Sequence, residues 1–229
     1  MSAARLELTV KGDPKDGAQD SLQGVLGDCP FCHRALLALE AKSIPYQARY
    51  LDTRNKPAWL LEVNPEGTVP VLKDQETGTW IPDSGAIVDY IEDLYPKPAT
   101  GHVADSKDAG QGFFPSFVQY LRSIGHPDED EKKQILEDKV AIVEAFLAGN
   151  PEGPFVHGRE PAVTDFELMP KLHHLDIVTR HFKGWMLLEK YPSIGTYLEA
   201  ARKLPIWQAT AYSEESMIDH WVPRVGSRL

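Results

Sequence analysis

The sequence predicts two architectures in series: a mixed α/β region up to about residue 95, and an all-helical region after about residue 105. Three observations carry this. Residues 1–95 run strand, helix, strand, short helix, strand, strand, helix. The remainder holds amphipathic helical stripes and no strand pattern. Between them, Pro96-Lys97-Pro98-Ala99-Thr100-Gly101 has the composition of a linker. The expected division is a domain over 1–95, a linker over 96–104 and a helical domain over 105–229.

Each element has a local reason. Arg5 to Val10 alternates polar and apolar residues, the period of a strand. Lys11 to Leu26, with its Gly, Asp, Pro, Lys and Gln, reads as a surface loop. The run after Cys29-Pro30 is apolar and amphipathic, which predicts a helix from about Pro30 to Lys42. Pro30 then falls in the first turn, where its missing N–H costs nothing. Ile44-Pro45 breaks this helix and Tyr46 to Leu51 resumes a strand. Strand, helix, strand at this length is a βαβ unit, so the two strands should be parallel. Lys56 to Val63 suggests a short helix, ended by Asn64-Pro65-Glu66-Gly67. Thr68 to Leu72 reads as a strand in which Pro70 is awkward for a ladder position; a cis Val69–Pro70 bond explains it. Gln75-Glu76-Thr77-Gly78 is a hairpin turn and Thr79-Trp80-Ile81 its return strand. Asp83-Ser84 caps a helix to about Tyr95.

In the second region Phe113, Phe114, Phe117, Tyr120, Leu121 and Ile124 form one stripe. Ile135, Val140, Ile142, Val143, Phe146 and Leu147 form another. Gly149 to Gly158 is a turn-rich connection. A helix from about Thr164 to Phe182 follows, then two or three shorter ones. His173 and His174 are adjacent, face different ways on that helix, and read as structural.

Composition excludes several functions. With 229 residues, 42% of them hydrophobic, the chain can bury a substantial core. Its net charge of −10 repels nucleic acid and anionic membrane surfaces. Two cysteines make no disulfide framework and fit a reducing compartment. No run approaches the roughly 20 apolar residues of a membrane helix. Met1 to Val10 has no signal-peptide core and carries an early acid. The expected location is therefore cytoplasmic, with a plastid standing open for a processed precursor.

The chemistry concentrates at Cys29-Pro30-Phe31-Cys32. A helix N-terminus offers free N–H groups and a partial positive charge, and for a cysteine the anion they favour is the reactive thiolate. Cys29 is thus a candidate nucleophile. Cys32, one turn on, is a candidate secondary redox residue, with packing inside the first turn as the other reading. No second ligand pair accompanies the cysteines, so no metal site is expected. His33 is expected to point to solvent or to form a hydrogen bond. Asp83-Ser84 is a helix cap at the least, and by themselves Lys11 and Lys56 read as ordinary surface lysines.

Several segments resemble one family. They are Leu26 to Phe31, Asn55-Lys56-Pro57-x-Trp59, Pro65-Glu66-Gly67-x-Val69-Pro70-Val71, Trp80 to Ser84, and His181-Phe182-Lys183-Gly184-Trp185. The chain resembles the cytosolic glutathione transferase superfamily over essentially its whole length. Within it, the chain looks most like the plant and algal dehydroascorbate reductases. The resemblance implies a thioredoxin-like N-terminal domain that binds glutathione, and an all-α C-terminal domain. It implies glutathione-dependent reduction of dehydroascorbate by a monomer. Glutathione would be co-substrate, with no tightly bound cofactor and no stable membrane association. By the same resemblance Cys29 is the nucleophile and Lys11 and Asp28 contact dehydroascorbate. Lys56, Val69, Asp83 and Ser84 hold glutathione.

This chain departs from the land-plant pattern. Cys32 stands where Ser is usual, the loop before Cys29 is longer, and Ala162 replaces the Ser or Thr that opens the capping box of the central helix. Thr164 with Glu167 is expected to supply a shifted box. Trp221 falls where the family has a tryptophan near the active site, with a core role as the other reading. Two further functions stay open: a glutathione-dependent thiol transferase of the omega kind, and a chloride-intracellular-channel-like protein that inserts in membranes. The helix after Cys29 carries Arg34, Glu40 and Lys42, and is short for spanning.

Overall fold

The computed structural model describes residues 4–17, 19–98, 110 and 112–225. Most of the expected linker, and the first residues of the expected helical domain, lie outside these. In chain order the elements are β1 (Leu6–Lys11), β2 (Asp20–Ser21), α1 (Pro30–Ala41), β3 (Tyr46–Leu51), α2 (Ala58–Val63), β4 (Val71–Asp74), β5 (Trp80–Pro82) and α3 (Ser84–Leu94). Then come α4 (Phe113–Arg122), α5 (Glu129–Ala148), α6 (Val163–Lys183), α7 (Leu187–Lys190), α8 (Pro192–Lys203), α9 (Pro205–Thr210) and α10 (Glu214–Val225). The chain divides into two compact units. One holds Met1–Thr100 with Pro205–Ser216, the other Gly101–Leu204 with Met217–Leu229. The helical half expected over 105–229 therefore gives up Pro205–Ser216 to the first unit, a long-range association that no local pattern announces.

In the first unit the sheet order is β2-β3-β1-β4-β5. β1 and β3 are parallel, from Leu6 opposite Tyr46 to Lys11 opposite Leu51. The other pairings are antiparallel. β1 is the central strand, and both its faces are covered: Leu6, Leu8, Val10 and Thr9 are fully buried and Lys11 nearly so. Alternation implied one buried face, but a central strand under helices has two. The loop after β1 accordingly stays buried at Gly12, which bridges to Leu26, and contains the short edge strand β2. α1 buries Ala35 through Leu39. The Val69–Pro70 bond is cis, and β4 begins only at Val71, after the proline that has no N–H to donate.

A carboxylate ties this unit's outer edge together. Asp74 accepts from Arg5 Nη2 at 2.7 Å, from the Tyr90 hydroxyl at 2.6 Å and from the Glu76 N–H at 2.8 Å. The Arg5 guanidinium, outweighing burial and helped by Tyr90, holds the Asp74 carboxyl well below the usual carboxylate range. A depressed folded-state pKa adds stability that is fully present above the unfolded value of about 3.9 and is lost as pH falls through the folded one. Asp74→Asn should lower stability by about 1.5–3 kcal/mol at neutral pH, read from urea midpoints. The gap to wild type should close in acid; a constant gap down to the folded pKa and below would contradict this origin.

In the second unit α5 buries Leu136, Val140, Val143 and Leu147, a strict helical stripe. Ile142, expected in that stripe, falls between its turns and is 59% exposed. α6 is buried along most of its length. Its cap is not shifted to Thr164. Ala162 is the N-cap, and Asp165 supplies the reciprocal half of the box by accepting from the Ala162 N–H at 2.9 Å and from the Val156 N–H at 2.9 Å. Tyr197 also donates to Asp165 at 3.0 Å. His173 bonds Arg202 at 3.0 Å and stays neutral, its pKa lowered to about 3 by burial and the nearby Arg202 and Arg180 charges. Trp221 Nε1 donates to His174 Nε2 at 2.8 Å and its ring meets Phe117 edge-on at 5.5 Å, so Trp221 serves this core.

Candidate active site

Cys29 is the N-cap of α1, with an extended backbone (φ −127°, ψ 107°) and Pro30 behind it at the first position. Gly27 allows this start. It bonds Lys11 O through its N–H at 2.8 Å, and a Cβ there would come within 2.7 Å of Gly12 O. The Cys29 sulfur is half-buried and accepts the Cys32 N–H at 3.4 Å. The Val69 carbonyl lies 4.0 Å away. A hydrogen bond from the Cys32 thiol holds the Cys29 pKa below that of an ordinary thiol, against the effect of burial. The Cys32 N–H, the Lys11 charge and the Phe31 N–H add to it. Cys32 goes the opposite way: burial first, then the Cys29 sulfur, push its thiol well up. The sequence left two readings for Cys32. It is fully buried, and its sulfur is also the acceptor of the Lys11 N–H at 3.4 Å.

The rate at which iodoacetamide alkylates Cys29 should stay high as pH falls below about 8.5, the free-thiol value, and drop only at a lower pH. A midpoint at or above about 8.5 would contradict the arrangement.

Lys11 ends β1 and turns inward, where Nζ meets Asp28 Oδ1 at 2.5 Å. The two side chains are 10% and 2% exposed, so neither belongs to the surface. Asp28 directly precedes Cys29 in the chain, and the Lys11 N–H donates to Cys32 Sγ. Lys11, Asp28, Cys29 and Cys32 are thus one cluster.

The sheet register brings the other candidates to the same end. Thr9 stands opposite Val71, and Val71 stands opposite Pro82. The end of β1, the Val69–Pro70 bond before β4 and Asp83-Ser84 after β5 therefore share one sheet edge. Asp83 has φ 75°, uncommon for a residue with a side chain. Its carboxylate accepts from the Gly85 and Ala86 N–H groups at 2.7 and 3.2 Å, while Ser84 is buried beneath. Lys56 is exposed in the loop after β3. Its ammonium lies beside Gly67, where an added Cβ would be 3.0 Å from Nζ. Among the described residues no hydrogen bond or ion pair joins Lys56 to the Cys29 cluster.

Sequence reasoning missed two neighbours, Tyr212 and Arg34, and left His33 between solvent and a hydrogen bond. His33 takes the hydrogen bond and is 1% exposed. Its Nε2 bonds Thr210 Oγ1 at 3.0 Å, and its ring packs on Trp207 at 4.5 Å and Tyr212 at 5.4 Å. Thr210 donates its own hydroxyl proton to Ile206 O at 2.7 Å, so Nε2 carries the hydrogen. Tyr212 lies near enough to Cys29, Asp28 and Cys32 for their charges, after burial, to push its phenol well up, so it stays protonated. Arg34 lies beside the α3 N-terminus, its Nη1 3.4 Å from where a Gly85 Cβ would be. Only Arg34 left a trace in the sequence, as a cation five residues after Cys29. Among the described residues, no group of three or more His, Cys, Asp or Glu is arranged to hold a metal ion.

A sheet that runs βαβ and then an antiparallel pair, with a cis proline facing an N-cap cysteine and a helical unit following, defines a glutathione S-transferase. The model for the glutathione S-transferase N-terminal domain matches residues 28–94. A probable glutathione S-transferase DHAR1, cytosolic, of Oryza sativa subsp. japonica is 37% identical over 88% of this chain and 92% of its own length. The chloroplastic glutathione S-transferase DHAR3 of Arabidopsis thaliana is 34% identical over 98% of this chain and 82% of its own. The crystal structure of Chlamydomonas reinhardtii dehydroascorbate reductase superposes with a TM-score of 0.85 at 37% identity, covering 98% of this chain and all of that one. The chain belongs to the DHAR family of glutathione S-transferases.

Proposed function

We infer that this protein reduces dehydroascorbate to ascorbate at the expense of glutathione, with Cys29 as the nucleophile. The observation that carries the reading is the Cys29 sulfur at a helix N-cap with a lowered pKa, in a chain of the DHAR family. The thiolate adds to a carbonyl carbon of dehydroascorbate. The new C–S bond then breaks with its electron pair going to the ene-diol, and water supplies the oxygen that leaves Cys29 as a sulfenic acid. Glutathione condenses with this sulfur, water departs, and a mixed disulfide remains. A second glutathione thiolate attacks the mixed disulfide and releases oxidised glutathione with the Cys29 thiolate.

The remaining residues have stated roles in this reading. The Lys11–Asp28 pair presents hydrogen-bonding groups to dehydroascorbate, and the Lys11 charge favours the thiolate. The Val69 backbone pairs with the cysteinyl part of glutathione. Asp83 and Ser84 hold its γ-glutamyl end at the α3 N-terminus, where a carboxylate is favoured, and Lys56 faces its glycyl carboxylate. The first unit is the glutathione-binding domain. The protein works as a monomer in a reducing compartment, cytosol or plastid, where Cys29 and Cys32 remain free thiols. Among the described residues no helix is long and apolar enough to cross a membrane.

Ascorbate formation, followed by ultraviolet absorbance from dehydroascorbate and glutathione, tests the reading. Turnover well above the uncatalysed rate is expected. No excess rate, together with turnover of a small mixed disulfide of glutathione, would replace it with the thiol-transferase reading.

A further inference from the structure

Cys32 has no step in the cycle above, yet its sulfur is set against the one that reacts. Both cysteines belong to the first turn of α1, one as N-cap and one as the third helical residue. The Cys32 N–H points at Cys29 Sγ at 3.4 Å, and the Lys11 N–H points at Cys32 Sγ at 3.4 Å. Cys32 is fully buried, so small reagents in solution meet Cys29 first. While Cys29 is a thiolate, the Cys32 proton is held by burial, by its hydrogen bond to Cys29 and by the repulsion of a second negative charge. Oxidation of Cys29 to a neutral sulfenic acid removes the charge behind the last two of these. The Lys11 N–H and the Lys11 charge remain, and both favour a Cys32 thiolate. Helical residues three apart carry Cβ atoms about 5–6 Å apart. A disulfide needs about 3.5–4.5 Å, a change that the first turn of a helix can absorb.

We propose that Cys32 is a second catalytic cysteine, which condenses with oxidised Cys29 to close a Cys29–Cys32 disulfide that glutathione then opens. The proposal rests on Cys29 being the nucleophile. The Cys32 sulfur attacks the Cys29 sulfur. An S–S bond forms, the S–O bond breaks, and the departing hydroxide takes the Cys32 proton to leave as water. At that point the two protein thiols have supplied the two electrons that dehydroascorbate gained. One glutathione thiolate attacks the Cys29 sulfur and frees Cys32, and a second releases oxidised glutathione, so the overall reaction is unchanged. What changes is the lifetime of the sulfenic acid, the species that peroxide would carry on to irreversible sulfinic acid. An adjacent thiol consumes it without waiting for a collision.

The test is a single turnover without glutathione. Reduced wild type, Cys29→Ser, Cys32→Ser and Cys32→Ala are mixed with dehydroascorbate. Released ascorbate, free thiols, intact mass and labelling by dimedone, which traps sulfenic acids, are then read. Wild type should release ascorbate, lose both thiols and lose about 2 Da, the mass of two hydrogens removed on disulfide formation. Its dimedone labelling should fall on the order of tenfold or more below that of either Cys32 variant. Both Cys32 variants should release ascorbate and keep a dimedone-reactive sulfur. Two variants of different size and polarity guard against a folding defect in one. Wild type that releases ascorbate but labels as strongly as Cys32→Ser, with Cys32 still open to alkylation after denaturation, overturns the proposal and leaves Cys29 as nucleophile. Wild type that releases no ascorbate overturns the nucleophile reading, and the proposal with it.

Discussion

Cys29→Ser should lower dehydroascorbate turnover by on the order of 10³-fold or more. The substitution exchanges one atom at a half-buried N-cap, and Ser is itself a favoured N-cap residue, so the fold should persist with a stability change within about 1 kcal/mol. What disappears is the anion. The Cys32 thiol, two N–H groups and the Lys11 charge hold the Cys29 thiol pKa below that of an ordinary thiol. The same environment acting on a hydroxyl leaves it protonated, and an oxygen cannot be oxidised and resolved by glutathione as a sulfur can. Steady-state assays beside urea unfolding check both halves. A variant that unfolds early would make the loss uninformative, and a stable variant that keeps turnover would remove Cys29 from the mechanism.

Lys11→Met should destabilise the first unit by about 3–5 kcal/mol, because it leaves the Asp28 carboxylate buried without its ammonium. It should also raise the Cys29 pKa, since the Lys11 charge is one of the groups that lower it. The midpoint of the alkylation profile should therefore move to higher pH. Replacing both partners, Lys11→Met with Asp28→Leu, should recover much of the stability and none of the shift. If the double variant stays as unstable as the single one, a stranded charge is not the cause. Unchanged alkylation in the stable double variant would show that Lys11 does not act on the sulfur.

These two residues mark how differently the site was written into the chain. Cys29 was legible because most of what acts on it is local: the N–H groups of a helix start marked by a proline in the first turn, and a second cysteine one turn on; the Lys11 charge is the exception. Asp83-Ser84 was legible for the same reason, a polar pair before an apolar periodic run. Lys11 was legible as a candidate only through resemblance, and its setting was misread, because a Gly- and Asp-rich segment after a strand looks like surface. Ile142 was misassigned because it is apolar without lying on the helical period of Val140 and Val143. The box at α6 was misplaced because Asp165 does from inside the helix what the N-cap side chain does elsewhere.

Of the helices after α6 the sequence anticipated two or three, where the described residues hold four. By itself it determined the mixed α/β order of the first region apart from β2, the parallel β1–β3 unit, the cis Val69–Pro70 bond and the helix start at Cys29-Pro30. All of these follow from interactions between residues a few positions apart. Only the tertiary structure decided that Lys11 pairs with Asp28 inside the protein, that Cys32 is sealed beneath Cys29, and that Pro205–Ser216 packs on α1 through His33, Trp207 and Tyr212. Such contacts join residues far apart in the chain, where no period or cap records the partner; burial pushes the Cys32 thiol up, while the hydrogen bond from that thiol lowers Cys29 against burial.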